Sequence, residues 1–313
     1  MPDCLTHIFM AEDVKRKISA DFAFNIDYFI LGSQGPDLFF YYNYYPWKKT
    51  NKVDSFGSAM HTKKTKLFLD NLIKAATSGP TELKSYALGF LCHCTLDQVA
   101  HPYIHTVTGN YVDKETKKYR GNHLKLERGI DAILLKRKNI NPRFYRLNGY
   151  FRLKFLTDDF ISILNGVYEK TYHIKNMGDI YSHSYSDFQS SFKTLVFDPF
   201  GIKKGFYSVV DIFTSGTMMY KNLTYNANLT KYDYMNESHT TWKHPVTGVE
   251  SNKSFDDLYN EAVEKASILL NSTIKLFKGE SSDIFNKTED KSYTTGLDCN
   301  HPGKMTYINS ILN

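Results

Sequence analysis

Two short patterns of histidine and carboxylate residues constrain this chain more than any other feature. His93, Asp97 and His101 are spaced four residues apart, and His123 and Glu127 repeat that spacing further along the chain. An α-helix turns by about 100° per residue, so residues four apart lie on one side of it. The patterns therefore predict two helices, each presenting a row of side chains that can bind a metal ion.

A structural role is the alternative for each of these residues, because a lone histidine or aspartate on a helix usually has one. Here, however, five such side chains lie in segments that are otherwise apolar. Burial there would leave charges and imidazoles without partners unless a cation or a dense hydrogen-bond network compensated them. Imidazole and carboxylate donors together are typical of Zn²⁺ sites, so we interpret the rows as parts of a zinc site.

Helical periodicity dominates the rest of the chain. Thr81–His101 carries an apolar stripe beside the first row, and we expect Pro102 to end this helix and leave His101 at a frayed terminus. A second helix is predicted from Gly121 to Lys138. Further helical segments are predicted at 56–76, 155–172, 186–197 and 202–223, and at a helix that starts at Ser254 with a capping box and stops at Gly279.

Strand alternation is scarce, so the predicted fold class is all-α. We expect one multi-helix globular domain over residues 1–278, followed by a polar tail or surface wrap over residues 279–313. Neither GxGxxG nor GxxxxGK[ST] occurs, which argues against dinucleotide and P-loop chemistry.

Composition adds broader limits. With 313 residues, of which 42% are hydrophobic, the chain can fill a large core, and its net charge of +6 suggests an anionic partner. The basic residues are scattered, so no stable nucleic-acid partner is expected. No stretch reaches about 18 apolar residues and the first residues lack an apolar secretory core. We expect a cytoplasmic protein, or one peripheral to a membrane, and a secreted one if a leader is removed.

Further metal donors are expected in the first hundred residues, because a site with two or three ions needs more than five. The candidates are His7 in THIF, Asp37 in GSQGPDLFF and His61 in AMH. Each has a structural alternative: a helix cap for His7, a turn former for Asp37 and a solvent-facing helix residue for His61.

The order of these motifs resembles a known family. THxF, GPD, MH, HxxxDxxxHP and HxxxExxID follow one another between Met1 and about Asp131, as in the bacterial zinc-dependent phospholipase C family. Its superfamily includes secreted choline-phospholipid hydrolases and fungal zinc single-strand nucleases. The resemblance implies an all-α fold with three zinc ions at the bottom of a cleft, and a phospholipid or other phosphodiester substrate.

The resemblance also implies roles for individual residues. His61, His93 and Asp97 would hold one zinc ion, with Asp97 bridging to a second ion that His7 also binds. The third ion would be held by His101, His123 and Glu127. Asp37 would bind or orient the attacking water as the general base.

Three departures from the family pattern leave alternatives open. The secreted relatives use an N-terminal tryptophan as a zinc donor, and here Pro2 or Asp3 would have to replace it. The last histidine of the first row lies six residues beyond the aspartate in those relatives, so either His101 or His105 is the ligand. Leu38 stands where choline-specific relatives have a tyrosine, so a choline preference is not supported.

An aromatic and basic run, FFYYNYYPWKK, follows Asp37 directly. Its composition is typical of a bilayer interface, so Phe39 to Trp47 are predicted to contact a membrane, with a buried aromatic loop as the alternative. The function predicted from the whole pattern is hydrolysis of a phospholipid to diacylglycerol and a phosphorylated headgroup. The alternatives are a nuclease or other phosphodiesterase on the same metals, and a metal-stabilised helical protein without catalytic activity.

Overall fold

The protein is described by a computed structural model over residues 3–18, 22–45, 48–109, 120–213, 220–225 and 231–309. Within these ranges it is built almost entirely of helices, which confirms the all-α prediction. The α-helices are α1 (Cys4–Lys17), α2 (Ile26–Gly32), α3 (Val53–Met60), α4 (Thr65–Thr77), α5 (Thr81–Thr108), α6 (Arg120–Arg137), α7 (Asp158–Tyr172), α8 (Met177–Ser191), α9 (Ile202–Phe213), α10 (Phe255–Phe277) and α11 (Ile284–Lys287).

Shorter elements complete the described chain. They are 3₁₀ helices at Gly35–Tyr41, Pro142–Phe144, Leu147–Gly149 and Tyr220–Leu223, a π-helical turn at Phe192–Val196, and the strands β1 (Trp242–Lys243) and β2 (Glu250–Ser251), which pair antiparallel. None of the described helices combines the length and the apolar character needed to cross a bilayer.

Helix α5 lies at the centre of the fold and packs against α1, α2, α4, α6 and α10. Two glycines allow α2 to approach it closely. A Cβ on Gly32 would lie 2.1 Å from the carbonyl oxygen of Tyr86, and one on Gly89 would lie 2.0 Å from that of Phe29. This close backbone contact places the segment after α2, which contains Asp37, beside the middle of α5.

The predicted end of this helix at His101 was wrong, because α5 continues through Pro102 to Thr108. Proline cannot donate the hydrogen bond to the carbonyl of Gln98, four residues earlier, and that loss usually ends a helix. Here Gly296 packs on the same carbonyl, so closely that a Cβ would lie 2.4 Å from its oxygen. The helix is held on both sides of the proline by tertiary contacts, and His101 is 2% exposed rather than frayed.

Some of the other helix boundaries predicted from the sequence agree with the structure, and some do not. The second metal-row helix and the capping box at Ser254 are present as predicted. The helix predicted over residues 56–76 is instead two helices, and the break between them contains His61. In the segment predicted as a helix over 202–223, the described residues form an α-helix at Ile202–Phe213 and a 3₁₀ helix at Tyr220–Leu223.

The aromatic run after Asp37 packs into the protein. Phe39 is completely buried between the rings of Phe56, Tyr168 and Tyr181, and Tyr41 packs on Phe188 of α8. This corrects the part of the membrane prediction that needs Phe39 in contact with lipid. Pro46 and Trp47 lie outside the described residues.

The segment after α10 returns to the centre of the fold. Tyr293 is 1% exposed, and its amide donates a hydrogen bond to the carbonyl of His61 at 2.7 Å. The chain after residue 279 therefore contacts the helices that carry the predicted metal ligands. The proposed division into a domain and a tail stays a prediction.

Candidate metal centre

Helix α5 presents the first predicted row toward the interior. His93, Asp97 and His101 are 0%, 0% and 2% exposed, on a helix that is buried along most of its length. The row meets His7 from α1 and His61 from the end of α3, while His123 and Glu127 approach from α6. Side chains from α1, α5, α6 and the end of α3 thus converge.

The first group consists of Asp37, His61, His93 and Asp97, which each offer a ligand atom within 4.8 Å of the others. His61 Nε2 lies 3.0 Å from Asp37 Oδ1, and His93 Nε2 lies 3.1 Å from Asp97 Oδ2. Asp37 is the least buried of the four, with a side chain that is 13% exposed. The side of the group formed by Asp37 is therefore the one with solvent contact.

His7 joins this group through Asp97. Its Nε2 lies 3.3 Å from Asp97 Oδ1, and its ring stacks on that of His93 with 4.3 Å between centroids. The two oxygens of Asp97 thus face different partners. Oδ2 lies 3.1 Å and 3.7 Å from Nε2 of His93 and His61, whereas Oδ1 faces His7.

The second group consists of His101, His123 and Glu127, with ligand atoms that also lie within 4.8 Å of one another. His123 Nε2 is 2.9 Å from Glu127 Oε1, and the rings of His101 and His123 are stacked at 6.0 Å. His105, the alternative ligand, lies beside the group, with its ring centroid 5.1 Å from that of His123. The geometry of the second group favours His101.

Main-chain carbonyls orient three of the imidazoles. A carbonyl oxygen only accepts hydrogen bonds, so an imidazole nitrogen at hydrogen-bond distance from it carries the proton. In each of the three rings that nitrogen is Nδ1, which leaves Nε2 as the atom with a free lone pair. The contacts are His61 to Gly57 at 2.7 Å, His93 to Ser33 at 3.2 Å and His101 to Tyr293 at 2.6 Å.

In His61 and His93 this orientation points the lone pair of Nε2 at a carboxylate oxygen, which carries lone pairs of its own. The Nε2 atoms of His61 and His93 face carboxylate oxygens at 3.0 and 3.1 Å, and two such atoms repel unless a proton or a metal ion lies between them. Neither oxygen of Asp97 accepts a hydrogen bond from the described residues, nor does His101 Nε2 form one. Ligand atoms on a tetrahedral zinc ion with bonds of about 2.0–2.1 Å are separated by about 3.3 Å. The donor set and its spacing fit zinc.

The electrostatics agree with a cation-binding role. Burial by itself would raise the pKa of Asp97, but the imidazoles of His101, His93 and His7 hold it well below its usual range. Burial lowers the pKa of His7 and lowers that of His101 strongly, which favours the neutral form that ligates a metal. Burial raises the pKa of Glu127 to about 7.

Gly35 is not a member of the first group, but it allows the main chain to pass close to His93. Its φ of +51° suits glycine, and a Cβ there would lie 2.3 Å from the imidazole ring of His93. The turn can therefore place Asp37 next to His93 only with glycine at this position.

Asp3 and Pro2 are the candidates for a zinc donor near the N-terminus. Asp3 accepts a hydrogen bond from the amide of Cys4 at 2.8 Å, and its other oxygen lies 2.6 Å from Arg128 Nε. This carboxylate caps α1 and pairs with a buried guanidinium, so it belongs to neither metal group. Pro2 lies outside the described residues.

Sequence reasoning missed the groups that orient the ligands. The carbonyls of Gly57, Ser33 and Tyr293 carry no signature, because every residue has a main-chain carbonyl. Gly35 had a signal, since glycine before proline marks a turn, but the contact with His93 was not foreseeable.

Comparison with known proteins supplies the remaining observation. The sequence model for zinc-dependent phospholipase C matches residues 6–197, which is more than half of the chain. The chain belongs to the zinc-dependent phospholipase C family. A search of curated proteins and a search of solved structures each found no match.

The matched region of this zinc-dependent phospholipase C family member contains the predicted ligands from His7 to Glu127, but neither of the candidate N-terminal donors Pro2 and Asp3. The family is zinc-dependent, and the fit of the donor set was established from the geometry alone. The structure beyond residue 197, including the Tyr293 contact, lies outside the match.

Proposed function

We propose that this protein is a zinc-dependent phospholipase C, which hydrolyses the phosphodiester of a phospholipid to diacylglycerol and a phosphorylated headgroup. The observation that carries the proposal is the set of three imidazoles whose Nδ1 atoms are held by main-chain carbonyls, two of which, His61 and His93, turn Nε2 toward carboxylate oxygens of the first group. The family membership supports the same reaction class.

The proposed ligand sets follow the two groups. His61, His93 and Asp97 hold one ion, and Asp97 shares a second ion with His7, in keeping with the separate directions of its two oxygens. His101, His123 and Glu127 hold a third. Three zinc ions is the stoichiometry that we propose.

Zinc ions in these positions would lower the pKa of a water molecule toward neutrality and neutralise charge on the non-bridging oxygens of the diester. The protein side chains would exclude bulk water from the site and hold the ligand atoms in place. The imidazoles of His61, His93 and His101 fix the ligand geometry, because their Nδ1 atoms are held by main-chain carbonyls, and their burial excludes bulk water.

Asp37 is the proposed general base. It is the residue of the first group with solvent contact, and Oδ1 lies 3.0 Å from His61 Nε2 and 3.8 Å from His93 Nε2. A carboxylate at this edge can orient an attacking water and accept its proton as the bond to phosphorus forms.

The test combines metal content with product analysis. Protein prepared without affinity tag or chelator is analysed for zinc, then incubated with phospholipid vesicles and, separately, with single-stranded DNA. We expect about three zinc ions per chain and the release of diacylglycerol. Cleavage of DNA alone would identify a nuclease, and stoichiometric zinc with no turnover on either substrate would identify a metal-stabilised binding protein. Absence of zinc would overturn the proposal.

A further inference from the structure

Helix α9 presents its apolar side to solvent. A monomeric soluble protein rarely exposes a continuous apolar surface of this kind. The residues repeat with helical spacing, and the open space around Gly205 lies on the same side. We call this surface the α9 face; with the preceding Phe200, its members and their exposed fractions are Phe200 80%, Ile202 74%, Phe206 65%, Val209 52%, Ile212 77% and Phe213 83%.

The polar residues of α9 point toward the protein instead. Lys203 Nζ donates hydrogen bonds to the carbonyls of Phe197 and Lys193, and Ser208 bonds within the helix. Tyr207 is the buried residue of the helix, and its hydroxyl reaches the carbonyl of Leu195 at 3.2 Å. These contacts fix the rotation of α9, so the apolar side cannot turn inward.

Basic residues lie close to α9. Arg143, Lys193 and Lys221 are exposed, and the pKa of Lys204 is lowered by burial and by the positive charges of Arg143 and Lys221. The carboxylate of Asp198 accepts hydrogen bonds from the amides of Lys203 and Lys204.

Asp211, a second acidic residue, lies on α9 and also forms hydrogen bonds with main-chain amides. Asp211 accepts hydrogen bonds from the amides of Tyr220 and Lys221. Both carboxylates are thus engaged at turns and helix starts, and the nearby lysine and arginine side chains give this part of the surface a net positive charge.

We propose that the α9 face docks the protein onto a lipid bilayer that carries anionic headgroups. Apolar side chains on a helix with basic neighbours bind such an interface by burial in the acyl region and by attraction to the headgroups. A second copy of this chain is disfavoured as the occupant, because its own basic residues would repel the first. The choice of a bilayer rests in part on the proposed phospholipid substrate.

The test is sedimentation with vesicles of phosphatidylglycerol and phosphatidylcholine, using zinc-loaded protein in a short incubation and extracting the lipids afterwards to measure how much of them has been hydrolysed. The double variant Phe206→Gln, Phe213→Gln should bind at least about tenfold more weakly, because two large apolar side chains leave the bilayer. Hydrolysis of a soluble short-chain phosphodiester should be unchanged. Vesicles of phosphatidylcholine alone should bind the wild-type protein more weakly.

The matched control is Leu67→Gln, Ile268→Gln, which changes two exposed apolar residues on α4 and α10 and should bind as the wild type does. Equal binding by the α9 variant and the wild type would overturn the proposal. So would a wild-type dimer in sedimentation equilibrium that the α9 variant converts to monomer, or binding of single-stranded DNA that the variant abolishes. Vesicle binding without lipid hydrolysis would refute the proposed function and leave this inference standing.

Discussion

The main-chain carbonyl of Tyr293 lies 2.6 Å from Nδ1 of His101. The amide of the same residue donates to the carbonyl of His61. One residue of the C-terminal segment therefore connects two helices that carry proposed ligands, and directs His101 Nε2 toward the second group. Over its described residues, the segment supports the candidate metal centre without a side chain in either group.

Gly296→Ala should weaken both the fold and the second group. A Cβ there would lie 2.4 Å from the carbonyl of Gln98, at a φ of +68° that disfavours alanine, so the segment must move away from α5. We expect a loss of about 2 kcal/mol or more in the free energy of unfolding. Urea unfolding and zinc analysis measure the two effects.

Gly279→Ala is the control for this change, because Gly279 has a φ of +78° and open space around it. It should cost about 1 kcal/mol from backbone strain alone and leave the zinc content unchanged. Equal losses in the two variants would mean that the contact with Gln98 is unimportant.

Asp97→Asn should remove zinc and lower the melting temperature together. Asp97 is fully buried and faces the imidazoles of His7, His61 and His93, so metal binding and folding depend on the same carboxylate. We expect a fall of about 5 °C or more in the melting temperature. Asp159→Asn, on the exposed first turn of α7, should change neither quantity appreciably. Wild-type zinc content in Asp97→Asn would refute the bridging role.

Asp37→Asn should reduce turnover far more than zinc content. Asparagine keeps the shape of the side chain but cannot accept the proton, so we expect a loss of roughly 10²–10⁴-fold in kcat. Steady-state kinetics on a soluble phosphodiester, with zinc measured on the same sample, separate the two effects. Retention of the wild-type rate would exclude Asp37 as the general base.

In the zinc-free protein, the stability that comes from neutral buried histidines should be lost as the pH falls below about 6.5. Burial lowers the pKa values of His7, His101 and His105, so at these residues the unfolded chain binds more protons than the folded one below the ordinary pKa of histidine. Groups with raised pKa values act in the opposite direction, because they bind protons in the folded protein first; they are His93, Asp3, Glu127 and Asp131. Urea unfolding at pH 7.5 and 5.5 in EDTA measures the slope.

Two variants test the origin of that slope. His101→Gln should make the protein more stable at pH 5.5 relative to pH 7.5 than the wild type is, since an imidazole that is protonated more easily in the unfolded chain is removed. His173→Asn, at an exposed helix end with a φ of +59°, should leave the pH dependence unchanged. A wild-type pH dependence in His101→Gln would contradict the assignment of a neutral buried imidazole to His101.

The accuracy of the sequence interpretation depended on whether a feature was local. The rows of His93, Asp97 and His101 and of His123 and Glu127 follow from helix geometry, and the capping box at Ser254 is equally local. Pro102 was misjudged, because its tolerance depends on Gly296, which is far away in the chain. The burial of Phe39 was left open, since composition does not distinguish an interfacial ring from a core ring.

The amino-acid sequence by itself determined the helical fold, the residue types of the metal centre and the family, because periodicity, spacing and motif order are properties of the chain alone. Only the tertiary structure decided which atoms face each other. The carbonyl that fixes the tautomer of His101 comes from a distant segment. The outward rotation of α9 is set by Lys203 and Tyr207, since an amphipathic pattern gives two faces but does not say which one meets water.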